Sequence, residues 1–137
     1  NAPSFALLDT QGNLVTLNSC LKKQRPVAIC FFASYCAPCR REIPEVMSIK
    51  ERYNSFDLLL INIDREGKEK ALEFLNGINV THECLLDIYQ ETAKRYMKEP
   101  KVPAMFLLDK KGAIIFEAVG NHDDTMRRFE NRVKSLR

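Results

Sequence analysis

The chain has 137 residues, of which 45% are hydrophobic and 28% charged, a balance that argues against a disordered, fibrous or membrane-embedded protein. That length suits a single domain, residues 1–137, with enough chain to bury a core without disulfide staples. Lysine and arginine exceed aspartate and glutamate by 21 to 18. The basic residues are interleaved with acids, as at Lys94, Arg95, Lys98, Glu99 and Lys101, which reads as a mixed solvated surface and not as a nucleic-acid-binding face.

No apolar run approaches the roughly 20 residues that cross a bilayer, and the first residues do not have the pattern of a signal peptide. The chain starts at Asn1 without a methionine. Export therefore stays open, and membrane attachment would require an anchor ahead of this sequence.

In chain order, Ser4 to Leu8 and Leu14 to Leu17 flank the turn-forming run Asp9-Thr10-Gln11-Gly12-Asn13, which predicts an N-terminal β-hairpin. Ser19 is the expected cap of a short helical turn ending near Lys23. Pro26 to Ala33 is a continuous apolar run without alternation, the pattern of a central strand covered on both faces. From Cys36 to about Tyr53, Ile43, Val46, Met47 and the stem of Lys50 recur at helical spacing. Pro44 removes a backbone donor inside that helix, which predicts a kink or break near the preceding turn.

Further on, Phe56 to Asp64 reads as a second apolar strand, Gly67 to Asn76 as a helix, Glu83 to Leu86 as a short strand and Tyr89 to Tyr96 as a helix. Ala104 to Leu108 and Ala113 to Val119 form a hairpin around Asp109-Lys110-Lys111-Gly112. A final helix, capped by Asp123 or Asp124, buries Met126, Phe129, Val133 and Leu136. Alternating strands and helices predict an α/β fold.

Five cysteines are an odd number and cannot all pair within the chain. Only Cys36 and Cys39 form a CxxC pair; Cys20, Cys30 and Cys84 stand alone, so no second CxxC completes a four-thiolate zinc site. The pair follows a buried strand and opens a helix. Unpaired N–H groups at a helix start favour a thiolate, which makes Cys36 the candidate attacking sulfur. Cys39, about one turn later, can resolve a mixed disulfide by closing on Cys36. Pro38 suits a first-turn position and restrains the backbone between the two. Cys30, within the apolar strand, reads as a small buried hydrophobe; the state of Cys20 and Cys84 stays open.

The stretch Phe31-Phe32-Ala33-Ser34-Tyr35-Cys36-Ala37-Pro38-Cys39-Arg40-Arg41-Glu42-Ile43-Pro44 resembles the active-site segment of the TlpA/ResA/CcmG branch of the thioredoxin superfamily. Val102-Pro103, leading into the strand from Ala104, resembles the family's cis-proline loop. The N-terminal hairpin and the helix-strand insertion between Gly67 and Leu86 resemble that branch more than plain thioredoxin. The resemblance spans nearly the whole chain. It implies a thioredoxin-like fold and bacterial thiol–disulfide exchange in the periplasm or another extracytoplasmic compartment, acting as a reductant in pathways such as cytochrome c maturation. It also implies protein thiol or disulfide substrates, a redox partner protein, and no cofactor. A cis bond at Val102-Pro103 would leave the Val102 backbone free to pair with an extended substrate; outside the family context, a trans proline starting a strand is the alternative.

This chain departs from the family pattern at two places. Cys30 stands where many thioredoxins carry a buried aspartate, six residues before Cys36, so that proton acceptor is missing. Glu42, three residues after Cys39, matches the glutamate of a ResA-like CxxCxxE pattern and is the candidate replacement, its alternative being a surface glutamate of an early helical turn. Tyr35 replaces the tryptophan usual before the first cysteine and, with Pro38, Val102 and Pro103, is a candidate substrate contact.

Three other functions compete. A copper chaperone would use both cysteines and His122 as third ligand, although Gly120-Asn121-His122-Asp123-Asp124 reads equally as a loop and helix cap. Peroxide reduction calls for an isolated reactive cysteine, unlike this pair. A peptide-binding module would keep the groove without the chemistry.

Overall fold

The computed structural model describes residues 1–136. Seven strands form one mixed sheet: β1 (Ala6–Asp9), β2 (Leu14–Thr16), β3 (Val27–Phe32), β4 (Asp57–Asn62), β5 (Cys84–Leu86), β6 (Ala104–Leu108) and β7 (Ile114–Val119), in the spatial order β2-β1-β5-β4-β3-β6-β7. β3, β4 and β5 run parallel, while β6 lies antiparallel to β3 and the hairpin β1–β2 joins the sheet by antiparallel pairing of β1 with β5. Five helices complete the described residues: α1 (Leu17–Leu21), α2 (Ala37–Tyr53), α3 (Lys68–Gly77), α4 (Glu91–Tyr96) and α5 (Thr125–Lys134).

The unbroken apolar run of β3 divides between two cores. Ala28, Cys30 and Phe32 face a core built with Ile43, Val46 and Ile49 of α2, Phe74 of α3 and Phe129 of α5. Val27, Ile29 and Phe31 face a second core with Leu17 of α1, Ala93 and Tyr96 of α4, and Phe106. Burial on both faces is what an apolar run without alternation requires. Both predicted hairpins form. Asp9 and Asp109 build their turns alike: the Asp9 carboxylate accepts from the N–H groups of Gln11 (2.8 Å) and Asn13 (2.9 Å), and that of Asp109 from Lys111 (2.9 Å) and Ala113 (3.0 Å). Gly12 and Gly112 supply the positive φ each turn needs.

Three local expectations change. Thr16, not Ser19, caps α1; Ser19 sits three residues on and completes a capping box with it. Pro44 does not end α2, whose helical span continues to Tyr53, because the loss of one backbone hydrogen bond is offset by the buried face that runs past it. Asp124 occupies the N-cap position of α5 but makes no capping hydrogen bond; its carboxylate turns to Arg127 and Arg128 at 3.9 and 4.0 Å.

The topology gathers the site at one edge of the sheet. The loops after the parallel strands β3, β4 and β5 open at their carboxyl ends, where α/β sheets place ligands. β6 runs the other way, and Ala104 pairs with Phe31, so the residues preceding β6 come to that same edge. Val119 pairs with Ala104, which brings Gly120 to His122 there as well.

Candidate active site

Cys36 is the N-cap residue of α2, with extended backbone angles (φ −98°, ψ 99°), and its sulfur accepts from the Cys39 N–H at 3.2 Å. Pro38 falls in the first turn, where its missing donor costs nothing, and that turn contains no acidic side chain to oppose a thiolate. Cys36 and Cys39 are joined as a disulfide with their Cα atoms 5.4 Å apart. Cys36 is 5% exposed and Cys39 fully buried, so Cys36 is the more exposed member of the pair.

The Val102-Pro103 bond is cis. Pro103, Cys39, Glu42, Cys30, Ile43 and Met105 share the lining of a cavity of about 10 Å³, close to the least space that holds one water. The Pro103 carbonyl accepts from the Gly120 N–H at 2.8 Å. Among the described residues, no hydrogen bond uses the Val102 N–H or C=O. Tyr35 stands 69% exposed beside the pair.

Glu42 is not a surface residue. The buried stripe of α2 runs Cys39, Glu42, Ile43, Val46, Ile49, so helical geometry carries this carboxyl into the core beneath the cysteines. Burial, reinforced by the neighbouring Glu45 charge, pushes its pKa up to about 7, against the opposing pull of Arg41 and His122. A carboxyl that titrates near neutrality next to a thiol can take and return a proton.

Cys30 is 4% exposed in β3, and burial raises its thiol well above the ordinary range. Cys84 is pushed up to about 12, again by burial, and Cys20 upward for the same reason. All three are free and buried. The His122 ring nitrogen lies 3.1 Å from the Val119 carbonyl oxygen. Among the described residues, no three His, Cys, Asp or Glu side chains converge on a point that suits a metal ion.

Sequence reasoning missed a polar network behind the cysteine loop. Asp64, 3% exposed, accepts from the Ser34 N–H (2.8 Å), the Ser34 hydroxyl (2.7 Å) and the Asn62 side-chain amide (2.8 Å). Asn62 in turn accepts from the Asp64 N–H at 3.0 Å. The available signal was a pair of polar residues, Asn62 at the end of β4 and Asp64 two residues on, directly after the apolar run 58–61.

A disulfide at the N-terminus of the helix after the central strand, facing a cis-proline loop on this sheet, defines a thiol-disulfide oxidoreductase of thioredoxin-like fold. The chain belongs to the AhpC/TSA family, whose model matches residues 1–117. It is 25% identical over 136 residues to the thiol-disulfide oxidoreductase ResA of Bacillus thuringiensis strain Al Hakam, covering 98% of this chain and 76% of that protein. The ResA of Bacillus subtilis strain 168 is likewise 25% identical, over 128 residues, with 92% of this chain and 69% of the relative covered. Among solved structures, one described as a thiol:disulfide interchange protein DsbE from Chlorobium tepidum superposes with a TM-score of 0.84 at 26% identity, covering 98% of this chain and 93% of that one.

Proposed function

We propose that this oxidoreductase works as a reductant of protein disulfides, with Cys36 as attacking thiolate, Cys39 as resolving thiol and Glu42 as the acid–base group for Cys39. The observation that carries the assignment is the division of labour in the site: the more exposed cysteine caps the α2 N-terminus, and the fully buried one shares a small cavity with a carboxyl whose pKa burial pushes up to about 7.

The Cys36 thiolate attacks one sulfur of a substrate disulfide, and the other sulfur leaves as a thiolate that takes a proton from solvent. Glu42 in its carboxylate form removes the Cys39 proton, directly or through one water. The Cys39 thiolate then attacks the Cys36 sulfur, the internal disulfide closes, and the second substrate thiol is released. The substrate gains two electrons and two protons; a redox partner protein restores the dithiol. Tyr35, Pro38, Val102 and Pro103 form the surface the substrate meets, and the unused Val102 backbone groups suit pairing with an extended segment.

Residues 1–137 act as one domain in this reading. The resemblance of the cysteine segment and the identity to ResA proteins support work outside the cytoplasm, with cytochrome c maturation as the pathway and an anchor, where there is one, lying ahead of this sequence. Trapping tests the core of the proposal: Cys39→Ser accumulates a mixed disulfide through Cys36 with a peptide-disulfide substrate, whereas Cys36→Ser accumulates none and loses turnover. Turnover that survives Cys36→Ser refutes the nucleophile assignment.

A further inference from the structure

We propose that Asp64 is a positioning residue for the redox reaction: through Ser34 it fixes the turn that holds Cys36 at the start of α2. The proposal rests on the reading of Cys36 as the attacking thiol.

Ala33 to Cys36 is a tight turn closed by the Cys36 N–H donating to the Ala33 carbonyl at 3.1 Å. Ser34 is the first inner residue of that turn, and its own N–H and hydroxyl both point to one partner, the two oxygens of Asp64. The carboxylate is thus held by three donors, two from Ser34 and one from Asn62, itself fully buried. Asp64 takes part in none of the ion pairs among the described residues. A buried carboxylate with no cationic partner is an expensive element if it only ties two loops together. Here its grip lies two residues ahead of Cys36, whose thiolate depends on facing the free N–H groups of α2. A turn that slackens lets Cys36 drift from those donors. The network is also the only link through side-chain hydrogen bonds, among the described residues, between the turn and the carboxyl end of β4.

Two physical effects of Asp64 have opposite signs and can be separated. As a clamp it favours the Cys36 thiolate by holding its position; as a nearby negative charge it disfavours it. The geometry points to the clamp, because the carboxylate is already satisfied by donors that screen it.

The test measures the rate of Cys36 alkylation in the reduced protein from pH 4 to 10, resolved from Cys30 and Cys39 by fragment-ion mass spectrometry. Ser34→Ala keeps the Asp64 charge and removes one hydrogen bond of the clamp. We expect alkylation at pH 7 to slow about fivefold and the Cys36 titration to move upward, as loss of one charge-assisted hydrogen bond predicts. Ser34→Thr, which keeps the hydroxyl, should recover the rate. Asp64→Asn should move the titration further in the same direction. Faster alkylation in Asp64→Asn with Ser34→Ala unchanged overturns the clamp in favour of a charge effect. An unchanged Cys36 titration in Ser34→Ala, whatever the melting temperature does, reduces the network to a structural tie. If Cys36 of the unmodified protein titrates at the ordinary thiol value near 8.5, the reading of Cys36 fails as well, which separates the two failures.

Discussion

Replacing Glu42 by glutamine removes a charge that the fold holds at a cost, and the size of that cost follows from where the carboxyl sits. In the unfolded chain the group titrates near its ordinary 4.5; in the folded protein burial holds it near 7. Between those values the folded state binds more protons than the unfolded state, so stability falls as pH rises through the window and levels off above about 7. The gap corresponds to at most roughly 3 kcal/mol, and solvent screening of a carboxyl this near the surface reduces it. Urea unfolding of the oxidised protein at intervals from pH 4 to 8.5, compared between Glu42→Gln and the parent, isolates this contribution, because every other titrating group is common to both. The variant should gain about 1–3 kcal/mol relative to the parent between pH 4 and pH 8. An unpaired glutamine amide in the same place subtracts about 1–3 kcal/mol, but equally at all pH values. The slope of the difference is therefore the diagnostic. The same variant should slow resolution of a Cys36 mixed disulfide by about 10²-fold at neutral pH, the typical contribution of a positioned acid–base group. A stability difference that stays flat with pH would refute the burial argument for Glu42.

Phe129→Ala should cost about 3–5 kcal/mol in urea unfolding, because the ring is fully buried and meets Phe56 and Phe116 at centroid distances of 5.7 and 5.8 Å; a loss below about 1 kcal/mol would contradict the packing of α5 against the sheet. In the oxidised protein at pH 8, the thiols of Cys20, Cys30 and Cys84 should resist a chromogenic disulfide reagent for many minutes, then all three should react in denaturant, since burial both shields and deactivates them. Rapid labelling of any of the three in the folded state would show that its surroundings are open.

The parts of this protein written in local chemistry were legible before the structure. A strand apolar at every position, a CxxC at the following helix start and a late hairpin with an Asp-initiated, Gly-closed turn each report on their own neighbourhood, and each appears where expected. Glu42 was ambiguous because helical spacing alone permits two faces; the stripe Cys39, Glu42, Ile43, Val46, Ile49 decides it only once the buried side of α2 is known. The caps failed for a related reason. Thr16 and Ser19 are both competent capping residues, and which of them precedes the helix depends on where β2 ends. Of the Ser34–Asp64 clamp the sequence carries only its polar residues and not their pairing, since it joins residues 30 apart in sequence and depends on the parallel register of β3 with β4. His122 was visible only as a histidine in a loop; the pairing of β7 with β6 brings that loop to the Pro103 edge, where its charge acts on Glu42.

In the proposed function Cys36 and Cys39 cycle between dithiol and disulfide as a reducing couple. An equilibrium redox titration, quenched by alkylation and read by mass spectrometry of the segment from Pro26 to Arg40, tests it most directly. One reversible two-electron transition is expected, confined to Cys36 and Cys39 and near the thioredoxin potential of about −270 mV or below. A transition near the strongly oxidising value of about −120 mV would reverse the direction of electron flow, and failure of the Cys36–Cys39 disulfide to form at any potential would contradict the redox function itself.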